Sequence, residues 1–345
     1  MKLASFHVEG RDRIGAAIAE DALIDLAEAV AAARGRSNTG APEDALDAAF
    51  GAAELGAAAL SDLIALIEAG ERALGAIRRA VELARARPDS VRRYAVDAVR
   101  WHSPVRRPSK LVCLALNNSA NKDRILSGPK HPASFIKGAN ALTGHREPIV
   151  IKPAYGRCHP EPELAVVIGR RAKDIRAEDA YGYVFGYTIH NDITSPTMRG
   201  EDTFHYRAIH PAKDDPSRIE YVETWVSYPG RYKGSDTFSP LGPWLVTREE
   251  IADPHALTVS CHHRGELVTE DSTQNLFYKV PEVLAFLSEY MTLLPGDVVS
   301  MGTALKRSAP GVRAVQNVEL NELGGPISVT ISGIGTLENP VELVR

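Results

Sequence analysis

His159-Pro160-Glu161-Pro162-Glu163-Leu164-Ala165-Val166-Val167-Ile168-Gly169 joins two acids to an unbroken apolar run. Leu164 to Ile168 has the length of a strand and is bounded by glycine. If the acids enter that strand in extended form, residues two apart point to one side, so Glu161 and Glu163 project together. Like charges that close repel unless a cation or a shared proton compensates them. Pro160 and Pro162 stiffen the backbone and cannot donate to a ladder, which fits a strand entrance or an edge. On spacing alone, two solvated carboxylates at a strand mouth are the commoner arrangement. A third acid changes the balance. Tyr187-Thr188-Ile189-His190-Asn191-Asp192 puts Asp192 just past another apolar strand, where a rigid scaffold hands residues to a site. Three carboxylates, without a Cys or His cluster at zinc spacing, suit Mg²⁺ or Mn²⁺ before Zn²⁺. Asn191 and Asp192 capping a turn is the alternative.

Around these stretches the sequence is strand-rich. Leu111 to Leu116, Tyr183 to Ile189, Trp244 to Val246, Thr258 to His262, Asp297 to Met301 and Ile327 to Ser332 all read as strands, and Val280 to Tyr290 as a helix. Few helices between many strands predict an α+β fold with a mainly antiparallel sheet. Before residue 105 the chain is rich in Ala. There Ala17, Ile18, Ala22, Leu23, Leu26, Ala27 and Val30 predict one helix face, and Leu60, Leu63, Ile64 and Ile67 a second, capped by Ser61 or Asp62 and stopped by Gly70. Ala73 to Ala86 predicts a third helix, ended by Pro88. Trp101 to Pro108 reads as a linker. The expected division is a helix-rich N-terminal domain over 1–108 and a catalytic domain over 109–345.

The chain has 345 residues, enough for about two domains. Its 40 Lys and Arg against 44 Asp and Glu give −4, which does not suggest a nucleic-acid or polybasic membrane binder. No apolar run reaches the roughly 18 residues of a spanning helix. Three cysteines are too few for a disulfide framework, so a reducing, cytoplasmic setting is expected.

From Lys110 onward the chain resembles the fumarylacetoacetate hydrolase superfamily. The landmarks follow in order: Leu116-Asn117, Phe135-Ile136-Lys137, Pro160 to Gly169, Gly186 to Asp192, Lys233-Gly234-Ser235-Asp236-Thr237-Phe238, Leu241 to Thr247, Met291 to Asp297, Gly302-Thr303 and Ile331 to Gly335. The resemblance implies a mixed-β roll, commonly a homodimer, holding Mg²⁺ or a related ion (Mn²⁺ or Ca²⁺) on Glu161, Glu163 and Asp192. It implies small 1,3-dicarbonyl or 2-oxo-acid substrates, an active-site lysine at Lys233 and substrate binding by Thr303. A divalent ion gripping two substrate oxygens would stabilise an enolate as a Lewis acid.

Two departures stand out. Hydrolytic members carry a lid His with a Glu three residues later; here Asn121 and Arg124 occupy those places. Asn cannot accept a proton near neutral pH. The base would then be His131 or His145, or Asp123, or the reaction needs no water-activating base. Arg199 falls in an altered run after Asp192 and would replace a cationic substrate contact. Thr203 to Tyr221 reads as an inserted loop at the site mouth. Metal-dependent C–C hydrolysis in catabolism is the leading expectation. Decarboxylase, hydratase or isomerase chemistry on the same site is the runner-up, and non-catalytic dicarbonyl binding a third reading.

Overall fold

The computed structural model describes residues 1–35, 58–118, 125, 128–305 and 313–345. Its N-terminal strands are β1 (Lys2–Val8), β2 (Arg11–Ala17), β3 (Ala22–Asp25), β4 (Arg93–Ala95) and β5 (Arg100–Trp101). Then come β6 (Leu111–Ala115), β7 (Ala133–Lys137), β8 (Leu142–Thr143), β9 (Ile149–Ile151), β10 (Pro162–Ile168) and β11 (Val184–Asn191). β12 (Thr203–Pro211), β13 (Ile219–Ser227), β14 (Ser239–Thr247), β15 (Thr258–His263) and β16 (Glu266–Ser272) follow. β17 (Val298–Thr303), β18 (Ile327–Ile331), β19 (Gly335–Asn339) and β20 (Val341–Leu343) complete the set.

One mixed sheet runs β4-β3-β2-β1-β14-β11-β10-β17-β6-β7, with β5 added to β1 and β8 to β14. Most neighbours are antiparallel; β17 with β6 and β14 with β8 are parallel. The fold is α+β, as expected. The apolar run of β10 is buried on both faces, which is why it lacks polar alternation. Leu164, Val166 and Ile168 enter a core with Val259, Val329 and Ile331 of the smaller sheet β16-β15-β18-β19 and with Leu284 and Leu287 of the helix Val280–Tyr290. Ala165 and Val167 enter a second core with Leu26, Val30, Leu66, Leu74 and Ile77 of the N-terminal helices. Those helices therefore cover the sheet's second face.

Three sequence expectations change. Ala17 to Val30 is not one helix: β2 pairs with β3 through Ala17↔Leu23, and the helix begins only at Leu26. Sheet pairing outweighs the helix preference of Ala here, and the Asp25 carboxylate caps the helix by accepting from the Ala27 and Glu28 amides. The second and third helices do form, as Leu63–Glu68 behind Asp62 and Gly70–Ala86. The stretch 101–108 is packed rather than a free linker. Trp101 pairs with Phe6, Ser5 Oγ donates to the Pro104 carbonyl, and Val105 is buried. Strands from both sides of residue 108 thus share one sheet. Finally, the stretch read as a loop from Thr203 is a two-stranded ribbon, β12 with β13. Its β-branched and aromatic residues account for this. Ile209, Tyr221 and Trp225 stand exposed on it.

Trp101 ties the N-terminal strands to β14. Its ring lies edge-on to Trp244 at 4.9 Å and to His145 at 5.4 Å, and its Nε1 donates to the Val96 carbonyl. Trp101→Ala is expected to cost about 3–5 kcal/mol, measured by urea unfolding. A cost under about 1 kcal/mol would show that this junction does not hold the two parts together.

Candidate functional site

The acids sit where the apolar strands end. Glu163 lies near the start of β10, opposite His190 of β11 and beside Thr303 of β17. The joint between β10 and β11 is stapled just before the acids. Asp192 N donates to the Glu161 carbonyl and Glu161 N to Asn191 Oδ1. Asn191 therefore fixes the backbone of Glu161 instead of capping a turn. Glu161, Glu163 and Asp192 come together, each offering a carboxylate oxygen within 4.8 Å of the others'. Glu163 and Asp192 side chains are only 1% exposed and Glu161 20%.

Two ammonium groups reach into this cluster. Lys233 Nζ donates to Asp192 Oδ2 at 2.6 Å and Glu161 Oε2 at 2.8 Å. Lys137, fully buried at the end of β7, donates to Asp192 Oδ1 at 2.5 Å and the Phe238 carbonyl at 2.7 Å. Burial alone would push Asp192 up, but Lys137 and Lys233 outweigh it and hold the carboxyl below its ordinary range. Burial would likewise lower Lys233, but Asp192 and Glu161 outweigh that and keep it an ammonium. Lys233 is thus a fixed cation, not a proton acceptor.

Glu163 touches neither lysine. It accepts from Ser300 Oγ, from Gly302 N at 3.1 Å and from Thr303 Oγ1 at 3.1 Å, and Thr303 Oγ1 lies equally close to Glu161 Oε2. Burial, then Asp192 and Glu161, push its carboxyl up to about 8. Three acids against two lysines leave this cluster short of positive charge at Glu163. An all-oxygen donor set with that deficit fits a hard divalent cation. Gly302 makes the amide contact with φ +101°, and a Cβ there would meet the Asn117 carbonyl at 2.9 Å. Asn117 braces this turn: its Nδ2 donates to the Met301 and Tyr278 carbonyls, and its Oδ1 accepts from Tyr278 N.

A cavity of about 470 Å³ opens beside the cluster. Glu161, Lys233, Thr303, His159, Arg199, Phe135 and Gln316 are among its lining residues. Arg199 is exposed there and Thr303 is buried. His131 is exposed, stacks on Phe286 at 5.0 Å and does not line the cavity. His145 is engaged elsewhere, accepting from Glu338 N, with burial pushing it down to about 4. Asn121, Asp123 and Arg124 lie outside the described residues. Sequence reasoning missed Lys137 and His159. Lys137 was visible only as the third residue of a landmark. His159 stands two residues before Glu161. Its Nδ1 lies 3.2 Å from the Pro160 carbonyl and its Nε2 3.9 Å from Glu161 Oε1. A carbonyl only accepts, so Nδ1 carries the proton, and burial lowers the ring's basicity and keeps it neutral.

The chain is similar to known proteins in sequence and in fold. A family model described as fumarylacetoacetate (FAA) hydrolase, C-terminal, matches residues 110–342. The chain is 32% identical over 281 residues to oxaloacetate tautomerase Fahd2a, mitochondrial, of Rattus norvegicus, covering 81% of this chain and 79% of that protein. The crystal structure of 2-hydroxyhepta-2,4-diene-1,7-dioate isomerase from Mycobacterium marinum is similar at TM-score 0.54 and 31% identity, over 73% of this chain and 81% of that one. Maleylpyruvate hydrolase from Sphingobium sp. SYK-6, in complex with manganese(II) and pyruvate, shares the fold at TM-score 0.65 and 24% identity over both full chains. Among the described residues, no helix is long and apolar enough to cross a membrane.

The Glu163 carboxyl, raised from 4.5 to about 8, binds its proton more tightly folded than unfolded. This group therefore withdraws stability from the ion-free protein as pH rises between those values. Asp192 is held below and Lys233 above their ordinary ranges, so both act outside that window. His145, His159, His190 and His255, which burial pushes below the ordinary 6.5, act in the opposite sense in the lower part of the window. The melting temperature of chelator-treated wild type minus that of chelator-treated Glu163→Gln should therefore fall across the window, and Mn²⁺ should raise the wild-type value most at the alkaline end. A flat or rising difference would contradict the assignment.

Proposed function

The chain belongs to the fumarylacetoacetate hydrolase family, and from that premise we propose that it interconverts enol and keto forms of a small 2-oxo acid or 1,3-dicarbonyl compound. In this reading Glu161, Glu163 and Asp192 would hold a divalent ion, Mg²⁺ or Mn²⁺, which would supply Lewis-acid stabilisation of an enolate. The observation that carries isomerisation ahead of C–C hydrolysis is Asn121 at the lid position where hydrolytic members have a histidine. An amide cannot pull a proton from attacking water. The tautomerase and isomerase relatives at 31–32% identity support the same choice.

The remaining roles follow from charge and placement. Lys233, held as an ammonium between two carboxylates, fixes Asp192 and Glu161 and presents positive charge to an anionic substrate. Lys137 neutralises the opposite oxygen of Asp192 from behind. Thr303 binds substrate from the cavity wall, and Arg199 at the mouth meets a substrate carboxylate. His159, which lines the cavity, supplies an imidazole whose Nε2 carries no proton, as a proton carrier between carbon and oxygen needs. In this reading it carries the proton that His131 or Asp123 would otherwise carry. Asn121 contacts substrate as an amide. Pairing with a second copy belongs to this reading, supported by the exposed apolar ribbon, since contiguous apolar surface marks protein contacts.

The test uses the enol form of oxaloacetate. With Mn²⁺ its ultraviolet absorbance should decay faster in the presence of the protein, and Glu163→Ala should abolish the gain. His159→Asn should lower the rate about 100-fold, within the usual range for a proton-transfer group, while leaving Mn²⁺ affinity near wild type. No acceleration of the enol, together with acylpyruvate cleavage that places solvent oxygen-18 in the product acid, would instead support hydrolysis.

A further inference from the structure

Behind Glu163 lies a hydrogen-bonded pair that the chemistry above does not use. His190, on β11 directly opposite Glu163, is fully buried. Its Nδ1 lies 2.7 Å from Ser300 Oγ on β17, and Ser300 Oγ is in turn hydrogen-bonded to Glu163 Oε2. The imidazole itself is 4.0 Å from that oxygen, so the hydroxyl bridges them. On its other side His190 Nε2 is buried with no hydrogen-bond partner among the described residues.

A serine hydroxyl has one proton. A carboxylate that grips a cation only accepts, so Ser300 must donate to Glu163. Its oxygen is then free to accept, and His190 must donate through Nδ1–H. That tautomer leaves Nε2 bare, which suits a position without a partner; the other would bury an N–H with no acceptor, a rarer and costlier arrangement. One proton inventory thus fixes the direction of both hydrogen bonds. Glu163 Oε2 is then taken up by Ser300 Oγ–H and Gly302 N–H, whereas among the described residues Oε1 meets only the Thr303 hydroxyl, whose single proton is shared with Glu161.

We propose that His190 and Ser300 are positioning residues that turn Glu163 so that it binds the divalent ion through one oxygen, Oε1. The inference rests on the metal-site reading given above. Hydrogen-bonded groups behind a ligating carboxylate orient it and set its basicity, and their loss typically weakens metal binding about 10- to 100-fold.

Mn²⁺ binding, followed by the electron paramagnetic resonance signal of free Mn²⁺, separates this inference from the reading beneath it. Ser300→Ala and His190→Leu should each weaken binding about 10-fold or more. His190→Asn, whose amide N–H can stand near the place of Nδ1–H, should restore affinity to near the wild-type value. Glu163→Gln should remove binding. Should Glu163→Gln fail to bind while Ser300→Ala binds as tightly as wild type, the positioning role is overturned and the metal site stands. If Glu163→Gln binds as tightly as wild type, both fall. Nitrogen-15 spectra of histidine-labelled protein with a diamagnetic ion, Mg²⁺, give a second readout. His190 should show a protonated Nδ1 and a bare Nε2, and the reverse pattern overturns the relay even if a variant misfolds.

Discussion

Three carboxylates share one small space with two ammonium groups, and the charges do not balance. Burying an acid without compensation is costly because the interior cannot solvate it as water does. Asp192 meets that cost with Lys137 on one oxygen and Lys233 on the other. Glu161 shares Lys233 and keeps some solvent. Among the described residues Glu163 has only neutral donors, from Ser300, Gly302 and Thr303. The missing positive charge at that point is the constraint around which the rest of the molecule is arranged, and it makes the cluster a receptor for a hard cation rather than a packed core.

The scaffold holds the acids in place against their repulsion. β10 and β11 are buried along their whole lengths, with the smaller sheet and one helix on one face and the N-terminal helices on the other. Buried, paired strands have little freedom to splay. The acids emerge only where these strands end, beside a cavity large enough for a small oxo acid. The N-terminal segment therefore contributes to the site at a distance: its strands extend the sheet and its helices close the face that would otherwise meet water.

Much of this was legible in the sequence because it depends on local pattern. The spacing of Glu161 and Glu163 ahead of Leu164–Ile168 gave the strand and the shared side, and Val280–Tyr290 is the helix its periodicity indicated. What was not legible depends on contacts between distant segments. Ala17 to Val30 satisfies a helical pattern, but β1 offers β2 a partner that local propensity cannot register. Trp101 and Val105 look like linker residues until the sheet they pack against is known. Lys137 lies 55 positions from Asp192, so its burial against that acid has no local signature. The His190–Ser300 pair is likewise visible only once β10 lies between β11 and β17.

The account's central claim is tested most directly by crystals grown with Mn²⁺ and measured at the manganese absorption edge. An anomalous peak is predicted about 2 Å from one oxygen each of Glu161, Glu163 and Asp192, the spacing expected for a small octahedral ion on carboxylates. A peak elsewhere, with the three acids in contact only with lysines and water, would contradict it.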